Sequence, residues 1–182
     1  MLDKDIQSVM ISEDEIKEII QKLSEQIEAD YKDKYPILLG LLKGCVPFMS
    51  DLIKKLDMHL ELAFMNVSSY HGGIESTGDV KIDMDLGTSV KGRHVLITED
   101  IIDSGRTIDS VAKLITYRGA KSVKVVTLMD KPTGRVINFK PDYIGKTIPQ
   151  AFVVGYGLDY DEKYRNLPYV GTLKPKIYLT EE

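Results

Sequence analysis

The chain has 182 residues, 43% of them hydrophobic and 29% charged, a mixture typical of a single folded domain and unlike that of a disordered or collagen-like chain. Its 24 Lys and Arg residues against 28 Asp and Glu residues give a net charge of −4, so binding to nucleic acid through a cationic surface is not expected. The single cysteine excludes an intramolecular disulfide, and no apolar stretch has the length of a membrane span or the form of a signal peptide, so we expect a cytoplasmic protein with no membrane contact.

The first predicted element is an amphipathic helix. Residues 12–15, Ser-Glu-Asp-Glu, match a capping box, and apolar residues then recur at helical spacing. These are Ile16, Ile19, Ile20, Leu23 and Ile27. Residues 36–42 form an apolar run that predicts a buried strand. After Lys43-Gly44, a helix with Pro47 in its first turn is expected, with Leu56 on its inner face.

The middle of the chain predicts two strands separated by a long loop. Residues 59–67 are predicted to form a strand, and the polar loop 68–78 is of the kind that is usually mobile and often functional. Apolar and polar residues alternate over residues 80–86, as in an edge or hairpin strand.

The clearest unit is a strand, a helix and a second strand. We predict a strand over residues 93–98, a helix over residues 107–118 with Gly119 just after its end, and a strand over residues 122–129. Beyond Pro132 the pattern loosens until a predicted strand at residues 151–156. The fold class is therefore α/β, an open and mostly parallel twisted sheet with helices on both faces, which binds ligands beyond the carboxyl ends of its strands.

Residues 95–107 join a strand to a helix and carry the clearest chemical signal. Gly105 permits close backbone approach, Ser104 and Thr107 supply hydroxyls, and the helix N-terminus supplies amides, which together suit a phosphate. Glu99 and Asp100 suit a vicinal diol or a hard divalent cation. A phosphate, a vicinal diol and an associated Mg²⁺ are together the features of a bound ribose 5-phosphate. The alternative is that these are solvated turn acids beside an ordinary helix entry.

The same thirteen residues resemble the phosphoribosyl pyrophosphate (PRPP) signature of the type I phosphoribosyltransferases. Three further stretches are similar to the short bacterial form of the branch of that family that acts on hypoxanthine and guanine. They are residues 42–44 (Leu-Lys-Gly), 128–131 (Leu-Met-Asp-Lys) and 152–165 (Phe-Val-Val-Gly-Tyr-Gly-Leu-Asp-Tyr-Asp-Glu-Lys-Tyr-Arg). The resemblance runs from about Ser12 to Leu179.

This resemblance implies a single domain over residues 1–182 with the type I phosphoribosyltransferase fold. It also implies a small hood, formed by the N-terminal segment and the region after about residue 135, and a flexible lid over residues 68–78 that begins with Ser69 and Tyr70. The implied reaction joins a 6-oxopurine to PRPP with Mg²⁺ as cofactor, releasing pyrophosphate and making IMP or GMP.

The resemblance also implies roles for residues around PRPP. Asp103 would be the general base that takes the purine N7 proton. Glu99 and Asp100 would hold the ribose hydroxyls and Mg²⁺, and the 5′-phosphate would lie within Ser104, Gly105, Arg106 and Thr107. Lys43, Gly44 and Arg165 would hold pyrophosphate, next to a cis peptide bond between Leu42 and Lys43.

The resemblance further implies which residues would hold the purine base. Lys131 would donate to the purine O6, Phe152 and Ile101 would stack on the two faces of the base, and the Val153 carbonyl would read its exocyclic edge. Asp159 would bind a second Mg²⁺ or contact the region of the base's 2-position. Without the resemblance, Lys131 could be a surface lysine, Phe152 a core aromatic residue, and Asp159 and Arg165 solvated loop charges.

There are two alternatives to a transferase that acts on hypoxanthine or guanine. A regulator on the same fold would bind PRPP or a nucleotide and contact RNA or DNA, but it would need a basic face, and the net charge of −4 argues against one. A sister transferase could use xanthine, adenine or uracil. Lys131 opposes adenine and residues 152–165 oppose uracil, whereas xanthine stays open as a secondary substrate. Members of the family are dimers or tetramers, so a homo-oligomer is expected.

Overall fold

The structure is a computed structural model that describes residues 2–69 and 80–178. In these ranges the strands and helices follow the order β1 (Ile6–Ile11), α1 (Glu13–Tyr31), β2 (Ile37–Leu42), α2 (Val46–Ile53), β3 (Glu61–Ser69), β4 (Val80–Met84), β5 (His94–Ile102), α3 (Arg106–Tyr117), β6 (Ser122–Asp130), β7 (Tyr143–Thr147), β8 (Val153–Val154) and β9 (Val170–Leu173). Short 3₁₀ turns lie at Leu2–Asp5, Pro132–Gly134 and Pro175–Ile177.

The main sheet has the strand order β4-β3-β2-β5-β6-β7 in the described part of the chain. All neighbouring pairs are parallel except β3 and β4, so the predicted edge strand is confirmed as the antiparallel one. Two hydrophobic layers cover the sheet. One contains α1 and α2, and the other contains α3, so the prediction of an open α/β sheet with helices on both faces is confirmed.

The first helix forms for the predicted reason. The Ser12 hydroxyl accepts a hydrogen bond from the Glu15 amide, and the five predicted apolar residues are all buried. The Glu15 carboxylate does not complete the capping box, because it is paired instead with Lys146 of β7. Leu56 is buried as expected, although α2 ends at Ile53 before reaching it.

A second, three-stranded antiparallel sheet has the order β1-β9-β8 in the described part of the chain. Its strands come from the two ends of the described chain, with Ile6 opposite Leu173 and Ile11 opposite Val170. The hood was expected to include the region after about residue 135, whereas β7 lies in that region and pairs with β6 in the main sheet. The strands β1, β7 and β9 were not predicted from the sequence.

The strand predicted over residues 151–156 is much shorter in the structure. Only Val153 and Val154 form a strand, which pairs with β9 in the small sheet. The strand ends because Gly155 and Tyr156 have φ angles of 94° and 48°, which turn the chain away from an extended path. A Cβ at Gly155 would lie 2.1 Å from the Tyr169 carbonyl oxygen, so this close turn requires glycine.

Candidate functional site at the carboxyl edge of the main sheet

The predicted site residues come together where β2, β5 and β6 end. The parallel pairing of these strands places their carboxyl ends at one edge of the sheet. Lys131, the residue after β6, donates its backbone amide to the Ile102 carbonyl at 2.9 Å, which ties the end of β6 to the end of β5. The turn after β2 begins at Lys43, and the Leu42–Lys43 peptide bond is cis, as the resemblance implied.

The loop from β5 to α3 has the shape of a small anion cradle. Gly105 has a φ of 84°, which favours glycine, and its carbonyl accepts the first helical hydrogen bond from the Asp109 amide at 3.0 Å. The first amides of α3 therefore face away from the helix at this loop. An open pocket of about 160 Å³ lies here. It is lined by Glu99, Ile101, Ile102, Asp103, Ser104, Gly105, Thr107 and Ile108.

Glu99 and Asp100 lie within β5, which ends four residues later than predicted. Because successive strand residues point to opposite faces, the two carboxylates are not side by side on one surface. Glu99 lines the cavity, whereas Asp100 lies under the turn after β2, where a Cβ at Gly44 would be 1.8 Å from Asp100 Oδ2. The structure therefore places one acid beside the phosphate loop and the other beneath the Lys43-Gly44 turn.

Burial disfavours the charged form of both acids. Burial, with the charge of Asp100, holds the pKa of Glu99 well above its usual range. Burial likewise raises the pKa of Asp100 to about 6, against the hydrogen bond that its Oδ1 accepts from the Ile101 amide at 2.7 Å. Glu99 Oε2 is buried and has no hydrogen-bond partner among the described residues. Such an oxygen is suited to a cation or hydroxyl supplied by a ligand.

The acids fit Mg²⁺ only as part of a larger ligand set. Within residues 2–69 and 80–178, no three His, Cys, Asp or Glu side chains converge to form a metal site by themselves. Mg²⁺ is usually held by one or two carboxylates together with water and substrate phosphates. The unpartnered oxygen of Glu99 fits that pattern as a single carboxylate ligand. Asp100, beneath the Lys43-Gly44 turn, is a second candidate ligand on the other face of β5.

Asp103 and Lys131 form a direct ion pair across the site. Lys131 Nζ donates to Asp103 Oδ2 at 2.7 Å. The lysine side chain is only 8% exposed, whereas the aspartate is 46% exposed, so the pair opens to solvent on the carboxylate side. Lys131 is thus a buried residue and not a surface lysine.

Residues 157–165 pack directly on the Lys43-Gly44 turn. A Cβ at Gly157 would lie 2.0 Å from the Gly44 carbonyl oxygen, so the two segments touch backbone to backbone. Arg165 anchors the segment by donating to the Gly157 carbonyl at 2.8 Å, and it pairs with Asp159 at 2.8 Å. The predicted pyrophosphate residues are therefore close together, with Asp159 at their side.

Two further side chains contact this cluster but were not singled out from the sequence. Glu162 accepts from Lys43 Nζ at 3.1 Å and from Arg165 Nη2 at 3.3 Å, so one carboxylate bridges both cations. It lies within the 152–165 stretch, which could have drawn attention to it. Arg135 contacts the loop that carries Asp103. It lies where the sequence pattern loosens, and no sequence signal marks it.

The aromatic residue expected to stack on the base is not in the core. Phe152 is 50% exposed and packs edge-on against Tyr160, with ring centroids 5.8 Å apart. Val153 is buried in β8, and Ile101 lines the cavity near the end of β5. Of the two lid residues, Ser69 is the last residue of β3, and Tyr70 lies outside the described residues, as does most of the predicted lid.

The fold and this site together define a phosphoribosyltransferase: a parallel sheet, an anion loop before a helix, and acids just ahead of that loop. The chain belongs to this family, since the model of the phosphoribosyl transferase domain matches residues 4–161. No helix in the described ranges is long and apolar enough to cross a membrane.

The individual proteins that this chain resembles belong to one branch of the family. The chain is 57% identical over 177 residues to the hypoxanthine-guanine phosphoribosyltransferase of Lactococcus lactis, covering 97% of this chain and 96% of that one. It is 54% identical over 178 residues to the Bacillus subtilis protein of the same name, covering 98% and 99%. A crystal structure of a hypoxanthine phosphoribosyltransferase from Staphylococcus aureus superposes with a TM-score of 0.95 at 50% identity, covering 98% and 97% of the two chains.

Proposed function

We propose that this protein transfers the phosphoribosyl group of PRPP to hypoxanthine or guanine, giving IMP or GMP and pyrophosphate in purine salvage. Family membership and relatives of this name at 57% and 54% identity over nearly the whole chain support the reaction. In the reaction, purine N9 forms a bond to C1′ of the ribose, the bond from C1′ to pyrophosphate oxygen breaks, and the N7 proton leaves the base.

The Lys131–Asp103 pair is the observation that carries this proposal. A 6-oxopurine protonated at N7 presents an acceptor, O6, next to a donor, N7–H. The protein presents the complementary pattern, an ammonium donor and a carboxylate acceptor 2.7 Å apart. A base entering here would replace the mutual hydrogen bond with one bond to each group. Asp103 would then receive the N7 proton as N9 attacks. Adenine has a donor at position 6, which would leave the buried Lys131 ammonium without an acceptor.

The sugar phosphate would occupy the loop beside this pair. Ser104, Gly105, Arg106 and Thr107 would surround the 5′-phosphate at the N-terminus of α3, where helix amides and the helix dipole favour an anion. Glu99 and Asp100 would accept from the ribose hydroxyls. The cluster of acids near C1′ would also stabilise the positive charge that develops there as pyrophosphate departs.

The leaving group would lie between the Lys43-Gly44 turn and Arg165. Backbone amides of the turn and the planar fork of Arg165 suit the oxygens of a diphosphate. Mg²⁺, held by Glu99 and Asp100 and at a second position by Asp159, would neutralise charge on the departing pyrophosphate. Arg165 Nε is buried without a hydrogen-bond partner in the described ranges, which supports a ligand beside it.

The base would lie between Ile101 and the half-exposed ring of Phe152, with the Val153 carbonyl at its exocyclic edge and Asp159 near its 2-position. Ser69 and Tyr70 would begin the lid that excludes water from a reactive sugar cation. We further propose a cytoplasmic homo-oligomer, a dimer or a tetramer, that acts on small molecules and not on nucleic acid.

The test supplies the purified protein with PRPP and Mg²⁺ and compares hypoxanthine, guanine, xanthine and adenine under one condition. We expect IMP and GMP to form, adenine to be left unused, and EDTA to stop turnover. Asp103→Ala should bind PRPP as tightly as the parent protein and lose about 100-fold or more in kcat, since a positioned general base contributes about 10²–10⁴-fold. If no 6-oxopurine is consumed, the proposed function is wrong; if Asp103→Ala turns over at the parent rate, the base assignment is wrong.

A further inference from the structure

Arg135 is a buried arginine next to the site that no part of the proposed reaction uses. Its side chain is 11% exposed and pairs with Asp130, whose side chain is 9% exposed. Arg135 Nε donates to the Asp103 carbonyl at 2.9 Å, Nη2 donates to the Ile102 carbonyl at 3.4 Å, and Nη1 donates to the Phe139 carbonyl. One guanidinium therefore contacts a carboxylate and three separate carbonyl groups.

These contacts join the two strand ends that carry the Lys131–Asp103 pair. Asp130 is the last residue of β6 and directly precedes Lys131, while Ile102 is the last residue of β5 and directly precedes Asp103. The guanidinium is held by both strand ends at once. Arg135 thus bonds the backbone at the end of β5 and the Asp130 side chain at the end of β6. The separation of residues 103 and 131 depends on this rigid planar group together with the hydrogen bond from the Lys131 amide to the Ile102 carbonyl.

Arg135 also supports the phosphate loop. A Cβ at Gly105 would lie 2.8 Å from Arg135 Cδ, so the arginine stem packs closely under the glycine with positive φ. The next residue, Val136, donates its backbone amide to the Ser104 carbonyl at 3.1 Å. The segment around Arg135 thus lies against the loop over three consecutive residues, 103 to 105.

We propose that Arg135 is a positioning residue, which sets the distance between the Asp103 carboxylate and the Lys131 ammonium so that both reach one edge of the purine. This inference rests on the proposed function. Arg135 makes no contact with substrate in this role, and it acts through the backbone at the end of β5 and through the Asp130 carboxylate that precedes Lys131. Only the arginine fork supplies donors in several directions, so lysine at this position would keep the charge and lose the geometry.

The experiment compares Arg135→Lys and Arg135→Met with the parent protein on two acceptors, hypoxanthine and purine itself, which lacks O6. A misplacement of about 1 Å can cost a reaction about 100-fold. We therefore expect kcat/KM for hypoxanthine to fall about 10- to 100-fold in both variants. The advantage of hypoxanthine over purine should shrink at least about fivefold, because Lys131 no longer meets O6 at its proper distance.

Arg93→Met is the matched control. Arg93 is partly buried, with a side chain 29% exposed, pairs with Glu61 at 2.9 Å and donates to the Tyr35 carbonyl at 3.2 Å, but it lies at the opposite end of β5. It should lower the melting temperature and leave the ratio between the two acceptors unchanged. Should Arg135→Met fail to fold, Arg135→Lys and Asp130→Asn, which removes the buried counterion, decide the question on the same ratio.

An unchanged ratio in folded Arg135 variants, with equal loss on both acceptors, overturns the positioning role. A lowered ratio in Arg93→Met as well overturns it too, because the effect would then follow from general loosening of the fold. Failure of the parent protein to use hypoxanthine would instead refute the proposed function, so the two failures are distinguishable.

Discussion

Gly44→Ala is a substitution whose effect follows from one short contact. The added Cβ would lie 1.8 Å from Asp100 Oδ2 and 2.7 Å from Asp100 Cγ, whereas ordinary contact begins at about 3.4 Å. Gly44 does not have a positive φ, so the substitution introduces steric overlap without backbone strain. To make room, the buried Asp100 carboxylate must move by about 1.6 Å at its nearest oxygen.

That movement breaks the hydrogen bond of 2.7 Å from the Ile101 amide to Asp100 Oδ1. A hydrogen bond to a charged group contributes about 1.5–3 kcal/mol, and overpacking of a buried site costs about 1–3 kcal/mol. We expect the free energy of unfolding to fall by about 2–6 kcal/mol. For a chain of this size, that corresponds to a melting temperature lower by roughly 5–20 °C.

Thermal unfolding followed by circular dichroism measures the effect. Gly87→Ala is the matched control, because a Cβ at that exposed glycine would have no atom within 4 Å. Adding Asp100→Ala should recover part of the loss, with a coupling energy of about 1–3 kcal/mol, since the clashing carboxylate is then absent. A Gly44→Ala variant that melts within about 1 °C of the Gly87→Ala control, or strictly additive effects in the double variant, would refute the reasoning.

Two further predictions concern the charges of the site. The pKa of Asp100 is raised from 3.8 to about 6 in the folded chain, so the folded chain binds the Asp100 proton more tightly than the unfolded chain does. Protonation of Asp100 therefore stabilises the fold, and this stabilisation is lost as pH rises from about 4 to 6. Asp100→Asn should flatten the fall in unfolding free energy over that window in urea titrations without Mg²⁺, and an unchanged slope would contradict the assignment. The Glu162 carboxylate pairs with Lys43 and Arg165 and therefore competes with PRPP for these two cations. Glu162→Gln should lower the KM for PRPP about two- to threefold, a small effect because the ion pairs are exposed. Asp161→Asn, which removes an equal charge that pairs with Lys163, is the control; equal effects of both variants on the KM would point to net charge alone.

The parts of the fold that the sequence predicted well depend on near neighbours in the chain. The helix after Ser12 and the strand–loop–helix unit around Gly105 are set by hydrophobic period, capping and glycine placement, all within about fifteen residues. The strand β7 was missed because Gly145 interrupts its pattern. A Cβ there would lie 2.5 Å from the Leu128 carbonyl oxygen and 2.6 Å from Ile19 Cγ2, so this glycine is explained only by the strand and helix packed against it.

The candidate site likewise has features that depend on near neighbours in the chain and features that depend on distant segments. Residue types and their order by themselves determined which groups make up the candidate site: a loop at residues 103–107, two acids ahead of it and a lysine after the next strand. Only the tertiary structure decided that Asp100 lies beneath the Lys43-Gly44 turn, that Lys131 meets Asp103, and that Arg135 contacts both strand ends. The physical reason is that local periodicity sets which way a side chain points, whereas the partner it meets comes from another strand and is chosen when the sheet assembles.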